Sequence, residues 1–164
     1  MPNDNLLSVT PIDGRYESQT KSLSAYFSEF ALIKTRVEVE IEWLLMLSKN
    51  KSLKYIPDIS SSQQKKITNI FKEFSIQDAR QIKKIEKKTN HDVKAVELFI
   101  VEKLKKLKLS KLCEFVHFCC TSEDINNLSY SLMLQRFLNN EFLPKVNLIQ
   151  KNLNSLAKRH SKLS

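Results

Sequence analysis

Apolar residues recur along the chain at steps of three and four. Tyr26, Phe30, Ile33, Val37, Ile41 and Leu44 form one such stripe and predict a long helix from about Leu23 to Ser48. A loop over 49–61 contains Pro57 and runs into the serines at 60–62. Two helical segments follow at about 62–74 and 76–88, with Ser75 and Asp78 spaced to start the second. Val93, Val96, Ile100 and Leu104 predict a helix over 90–106, and a shorter one is expected near 110–118. After TSED at 121–124, Tyr130, Leu134, Phe137 and Leu138 mark one half of a further long pattern; Val146, Ile149, Leu153 and Leu156 mark the other. Pro144 lies between the halves and either kinks one helix or begins the next. Residues 1–20 read as an extended lead-in ending in a turn. No stretch alternates as a strand would, no repeat or low-complexity tract is present, and the expected class is all-α.

Composition sharpens this picture at one point. Gly14 is the only glycine in 164 residues. A chain that rarely needs positive φ has few tight turns and long helices. The net charge of +9 raises the question of nucleic acid. Its lysines, however, cluster in KKIEKK (83–88) and KLKKLKLSK (103–111) without interleaved aromatic rings. They read as solvated helix faces, and no nucleic-acid partner is expected. The longest apolar run, WLLML at 43–47, is far too short for a membrane span. Cys113, Cys119 and Cys120 have no metal-ligand spacing, and an odd count points to reduced thiols. The polar start MPNDNLLSVT lacks the layout of a signal sequence, so a soluble, cytoplasmic protein is expected. The end, NSLAKRHSKLS, stops in a helical pattern without a closing Gly or Asn, as a chain cut part-way through a larger protein would. The stripes on 23–48 and 125–156 are expected to be exposed and adhesive in such a piece.

Three polar clusters carry the candidate chemistry. PIDGRY at 11–16 reads as a Pro-Asp-Gly turn, in which the glycine lets Arg15 and Tyr16 project together. A guanidinium fork and a phenol suit a phosphate. In TNHD at 89–92, Thr89 and Asp92 have the spacing of a capping box, which leaves Asn90 and His91 beside the free amides of the helix start. Capping by that pair requires no imidazole. In HFCCTSEDINN at 117–127, Thr121 and Asp124 repeat the spacing, and Thr121 with Ser122 sets two hydroxyls at a donor-rich helix end. His117, just upstream, reads as structural.

The order PIDGRY, TNHDVKAVE, HFxCTSEDINN resembles the N-terminal part of the adenylosuccinate lyase family, within the fumarase/aspartase superfamily. The likeness runs from about Val9 to Ala157 and includes SEF at 28–30, the residues on to Glu40, and EFVHF at 114–118. It implies an N-terminal helical domain over 21–120 and the incomplete start of a long-helix bundle over 121–164. It further implies β-elimination of fumarate from adenylosuccinate, giving AMP, and the same step on the succinyl-carboxamide ribonucleotide. No metal or organic cofactor is implied, and the full enzyme is expected to be a homotetramer with each site shared among three subunits. Carried over by position, Arg15 and Tyr16 hold the purine nucleotide's phosphate. Asn90, His91 and Asp92 contact the substrate, and Thr121 and Ser122 donate to its carboxylate. The family's R-T-H-G-Q-type segment and serine-bearing mobile loop, which bear the acid and base, have no counterpart in these 164 residues. The chain alone is therefore expected to be inactive. The alternative is a basic helical binding module, or a remnant without catalysis.

Overall fold

The computed structural model describes residues 8–162, and in it the first long stripe is divided. A short helix α1 (Glu17–Thr20) leads through a 3-10 turn (Lys21–Leu23) into α2 (Ser24–Phe27), and α3 begins afresh at Glu29 and runs to Lys49. Ser28 is the cause of the break. Its backbone is extended (φ −73°, ψ 161°), and its hydroxyl accepts the Ala31 amide as an N-cap. The expected single helix over 23–48 is thus two. The lead-in expected over 1–20 turns helical at Glu17, and its residues 1–7 lie outside the described ones.

The remaining elements are α4 (Ser61–Lys72), α5 (Ile76–Thr89), α6 (Asp92–Lys106), a 3-10 segment (Ser110–Phe115), α7 (Ser122–Phe137), a π turn (Leu138–Phe142) and α8 (Leu143–Arg159). No strand occurs among the described residues, and the fold is all-α. Ser60 with Gln63 starts α4, and Ser75 with Asp78 starts α5; each is a reciprocal capping box. The helix expected at 110–118 is instead one 3-10 segment followed by a turn. Val116 is extended and His117 left-handed, so no helix passes them. Pro144 stands at the start of α8. The π turn before it closes with the Leu143 N–H donating to the Leu138 carbonyl, five residues back. That wider turn accommodates a proline that has no N–H to give.

The core is built on α3, which is buried around most of its circumference. Val37, Ile41 and Leu44 face Ile67 of α4, Ile82 of α5, and Val96, Phe99 and Ile100 of α6. Fully burying each such side chain is worth about 1.5–3 kcal/mol. The stripe on α3 is therefore covered, against the expectation of an exposed one. α7 buries Ile125, Ser129 and Met133 against the rest, whereas every residue of α8 is exposed. The exposed apolar face expected over 125–156 is present in both halves, with Leu128, Tyr130 and Leu134 on α7 and Val146, Ile149, Leu153 and Leu156 on α8.

Candidate functional site

The start of α6 differs from the expected capping box. Thr89 is the last residue of α5, and its hydroxyl donates backwards to the Ile85 carbonyl (3.3 Å) and onward to that of His91 (3.1 Å). Asn90 takes the left-handed conformation (φ 52°), which ends α5 and turns the chain into α6. The N-cap of α6 is His91, whose Nδ1 accepts the Lys94 amide at 3.1 Å. The imidazole that capping by Thr89 left unexplained is itself the cap. An accepting Nδ1 puts the ring proton on Nε2, and the half-exposed ring offers that N–H outward. Asp92 is anchored on both sides. Its Oδ1 accepts the Val93 amide at 2.8 Å, and its Oδ2 lies 2.7 Å from Arg36 Nη2. Partial burial alone would raise the Asp92 carboxyl. The Val93 amide and the Arg36 guanidinium outweigh it and hold the group below the usual aspartate value.

The start of α7 follows expectation. Thr121 Oγ1 accepts the Asp124 amide (3.4 Å), and Asp124 Oδ2 accepts the Thr121 amide (2.8 Å) and hydroxyl (3.0 Å). Those bonds hold the Asp124 carboxyl below its ordinary value. The Thr121 hydroxyl is thus committed to the cap, and Ser122 opens the helix beside it. Of the acids at the two helix starts, Asp92 is matched by Arg36 and Asp124 is hydrogen-bonded by Thr121, while Glu123 and Asp124 both stay exposed in the first turn of α7.

The two starts meet on one face of α3. Val93 and Ile125, the second and fourth residues of α6 and α7, pack together against Val39. One turn away, the buried Arg36 reaches Asp92 with Nη2 and donates from Nε to Asn126 Oδ1 at 2.9 Å. Glu40, a turn further on, lies 2.6 Å from His117 Nδ1, and Trp43 Nε1 donates to the Phe118 carbonyl at 2.8 Å. These two contacts fix the stretch just before Thr121, in which His117 (φ 61°) and Cys119 (φ 58°) are both left-handed. His117 is structural, as expected. Arg36, Glu40 and Asn126 went unnoticed in the sequence, although charges at Arg36 and Glu40, beside an apolar stripe and four apart, were a legible signal.

Cys120 is kept in its protonated, less nucleophilic form. Burial, with the charges of Glu40 and Asp124 adding, pushes its thiol up to about 11. Among the described residues no group of three or more His, Cys, Asp or Glu is placed to hold a metal, and no helix is long and apolar enough to cross a membrane.

PIDGRY stands apart from the other two segments. Its turn closes with the Tyr16 amide on the Pro11 carbonyl (2.9 Å) and leaves Arg15 and Tyr16 exposed. Gly14 is buried and does not use positive φ, so what it supplies is the absence of a side chain, not the turn geometry expected of it. The turn lies by α2: Ile12 and Asp13 line a cleft of about 600 Å³ with Leu23, Phe27 and Ser28. The rings of Tyr26 and Phe27 rest on Phe137, at the far end of α7. At 1.5 Å per residue, that end is about 24 Å from Thr121. Within one chain, TNHD and TSED come together and PIDGRY does not join them.

Three of the nine lysines in the lysine-rich runs are drawn into ion pairs. Lys83 pairs with Glu29 and Glu86, Lys103 with Asp78, and Lys106 with Glu102, each at 2.7 Å.

Comparison with known proteins adds two findings. A family described as Lyase matches residues 14–163. The chain is also similar to curated proteins named adenylosuccinate lyase. It is 41% identical over 157 residues to that of Legionella pneumophila (strain Corby), covering 95% of this chain and 34% of the relative. The figures are 42% over 161 residues (98% and 35%) for Haemophilus influenzae, and 44% over 145 residues (88% and 32%) for Escherichia coli K12. The chain spans about a third of the length of the relatives it matches.

Proposed function

This chain belongs to the lyase family that matches its residues 14–163, and from that membership we propose that it forms the N-terminal, substrate-binding part of an adenylosuccinate lyase. The reaction is β-elimination of fumarate from adenylosuccinate and from the succinyl-carboxamide ribonucleotide, carried out in the cytoplasm. The observation that carries the proposal is the meeting of the α6 and α7 starts on α3. Two helix N-termini side by side present amide N–H groups and partial positive charge to one volume, which suits a dicarboxylate substrate. Asn90 and the Nε2–H of His91 add side-chain donors from the turn that opens α6, and Ser122 adds one from α7. His91 then orients the substrate through Nε2 and transfers no proton through Nδ1, which the cap occupies. Asp92 acts by fixing the His91 turn.

Arg15 and Tyr16 bind the nucleotide phosphate. Their distance from Thr121 within one chain fits a site completed across subunits, with the PIDGRY turn of one copy serving the helix starts of another in a homotetramer. Residues 21–120 form the N-terminal helical domain, and 121–164 open the bundle domain. The acid and base of the elimination are supplied by segments other than these 164 residues, and the chain alone is inactive.

The natural gene product, given adenylosuccinate, is expected to release fumarate. Arg15→Ala should raise KM at least tenfold, as loss of a charge-assisted phosphate contact does, with Lys83→Ala near wild type. Equal, small effects of the two changes would remove the phosphate assignment. Salt-sensitive DNA binding without turnover would instead favour a basic binding module.

A further inference from the structure

We propose that Arg36 is a positioning residue for this reaction: it sets the spacing between the two helix starts that grip the substrate. The inference rests on the lyase reading above and goes beyond it, because Arg36 itself touches no substrate. Only 7% of its side chain is exposed, so the guanidinium has little water to satisfy it and depends on protein partners. Those partners belong one to each ligand-facing segment. Nη2 holds Asp92, the first residue of α6, and Nε holds Asn126, the fifth residue of α7.

A planar fork with its nitrogens about 2.3 Å apart converts two hydrogen bonds into a fixed separation, which a single ammonium does not. Beneath it, Val39, Val93 and Ile125 pack without a polar atom, so they resist separation of the helices but impose no register. Orientation therefore falls to polar contacts, and Arg36 is the one that reaches both helix starts. An error of about 1 Å in the placement of binding groups costs a reaction about a hundredfold in rate.

The structure supplies its own control. Arg136, in the last turn of α7, makes a two-pronged ion pair with Glu38 on α3 (2.9 and 2.6 Å), joining the same two helices through the end of α7 opposite its start. If Arg36 merely fastened α3 to α7, losing either arginine would have the same consequence.

The test is kinetic, on the natural gene product, at a temperature where circular dichroism shows each variant folded. Arg36→Met is expected to lower kcat/KM about a hundredfold, whereas Arg136→Met lowers Tm and leaves kcat/KM within about twofold. Arg36→Lys, which keeps the charge facing Asp92 and cannot also hold Asn126, should fall between. Asn126→Ala should cost activity in the wild-type background and little more in the Arg36→Lys background. Activity losses in Arg36→Met and Arg136→Met that follow their losses in Tm would overturn the positioning role and leave the lyase reading standing. A folded wild-type gene product that releases no fumarate would overturn the lyase reading, and the positioning role with it.

Discussion

Glu40 places one carboxylate oxygen on His117 and buries the other, Oε2, with no hydrogen-bond partner among the described residues. Burial raises its carboxyl above the ordinary 4.5, and the nearby charge of Glu97 adds to the rise. The hydrogen bond and charge of His117 oppose it without cancelling it. A carboxyl raised in the folded state favours folding while protonated. Its contribution is complete below pH 4.5 and is lost as pH climbs through the raised value. Glu40→Gln keeps an acceptor for His117 and never ionises. Its unfolding free energy in urea should therefore gain on that of wild type as pH rises from 4.5 to 8. A difference constant across that range would contradict the account. His91 shows how far single residues were legible. TNHD marked the right turn of chain, but the spacing of Thr89 and Asp92 assigned the cap to the wrong pair. A histidine cap leaves no pattern that a capping-box rule detects, and Asp92 was already engaged by a residue fifty-six positions earlier.

At the scale of elements, caps fixed boundaries that helix faces left open. The Ser60, Ser75 and Thr121 caps lie where Ser or Thr precedes an acid or amide by three. The stripe through Tyr26 and Phe30 concealed the break at Ser28, because the periodicity continues across it while the backbone does not. The scarcity of glycine led to long helices by an incomplete route. Asn90, Lys108, His117 and Cys119 all take positive φ, and the one glycine does not. These turns are made by residues that accept the left-handed cost because tertiary contacts or cap bonds hold them. Lys108 is the clearest case. Its amide donates to the Lys105 carbonyl and that of Leu109 to Leu104, closing α6 in a Schellman motif with an exposed lysine at the left-handed position. Lys108→Gly relieves the Cβ clash at some cost in chain entropy, for a net gain of about 0.5–1 kcal/mol. Thermal unfolding of the two proteins measures this directly, and an unchanged or lower Tm would contradict it.

At the scale of the whole molecule, α3 is the shared wall. One face closes the core of α4, α5 and α6, and the other fixes the helix starts through Arg36, Val39, Glu40 and Trp43. The all-α class and most helix positions followed from periodicity alone. That two of the three polar clusters meet did not, since it depends on contacts such as Arg36–Asn126 across ninety residues. The separate position of PIDGRY was equally invisible, because chain order says nothing of where a segment lies relative to the others. α8 exposes Val146, Ile149, Leu153 and Leu156 at helical spacing, a face suited to further bundle helices in the proposed enzyme. The central claim is that these residues are a working N-terminal third of an adenylosuccinate lyase. The most direct measurement joins this chain to the remainder of the Escherichia coli relative, in place of the segment it matches, and follows fumarate release from adenylosuccinate. The account predicts turnover by the chimera and none by the 164-residue chain alone. A folded chimera, assembled to the size of the relative and unable to turn over, would contradict it.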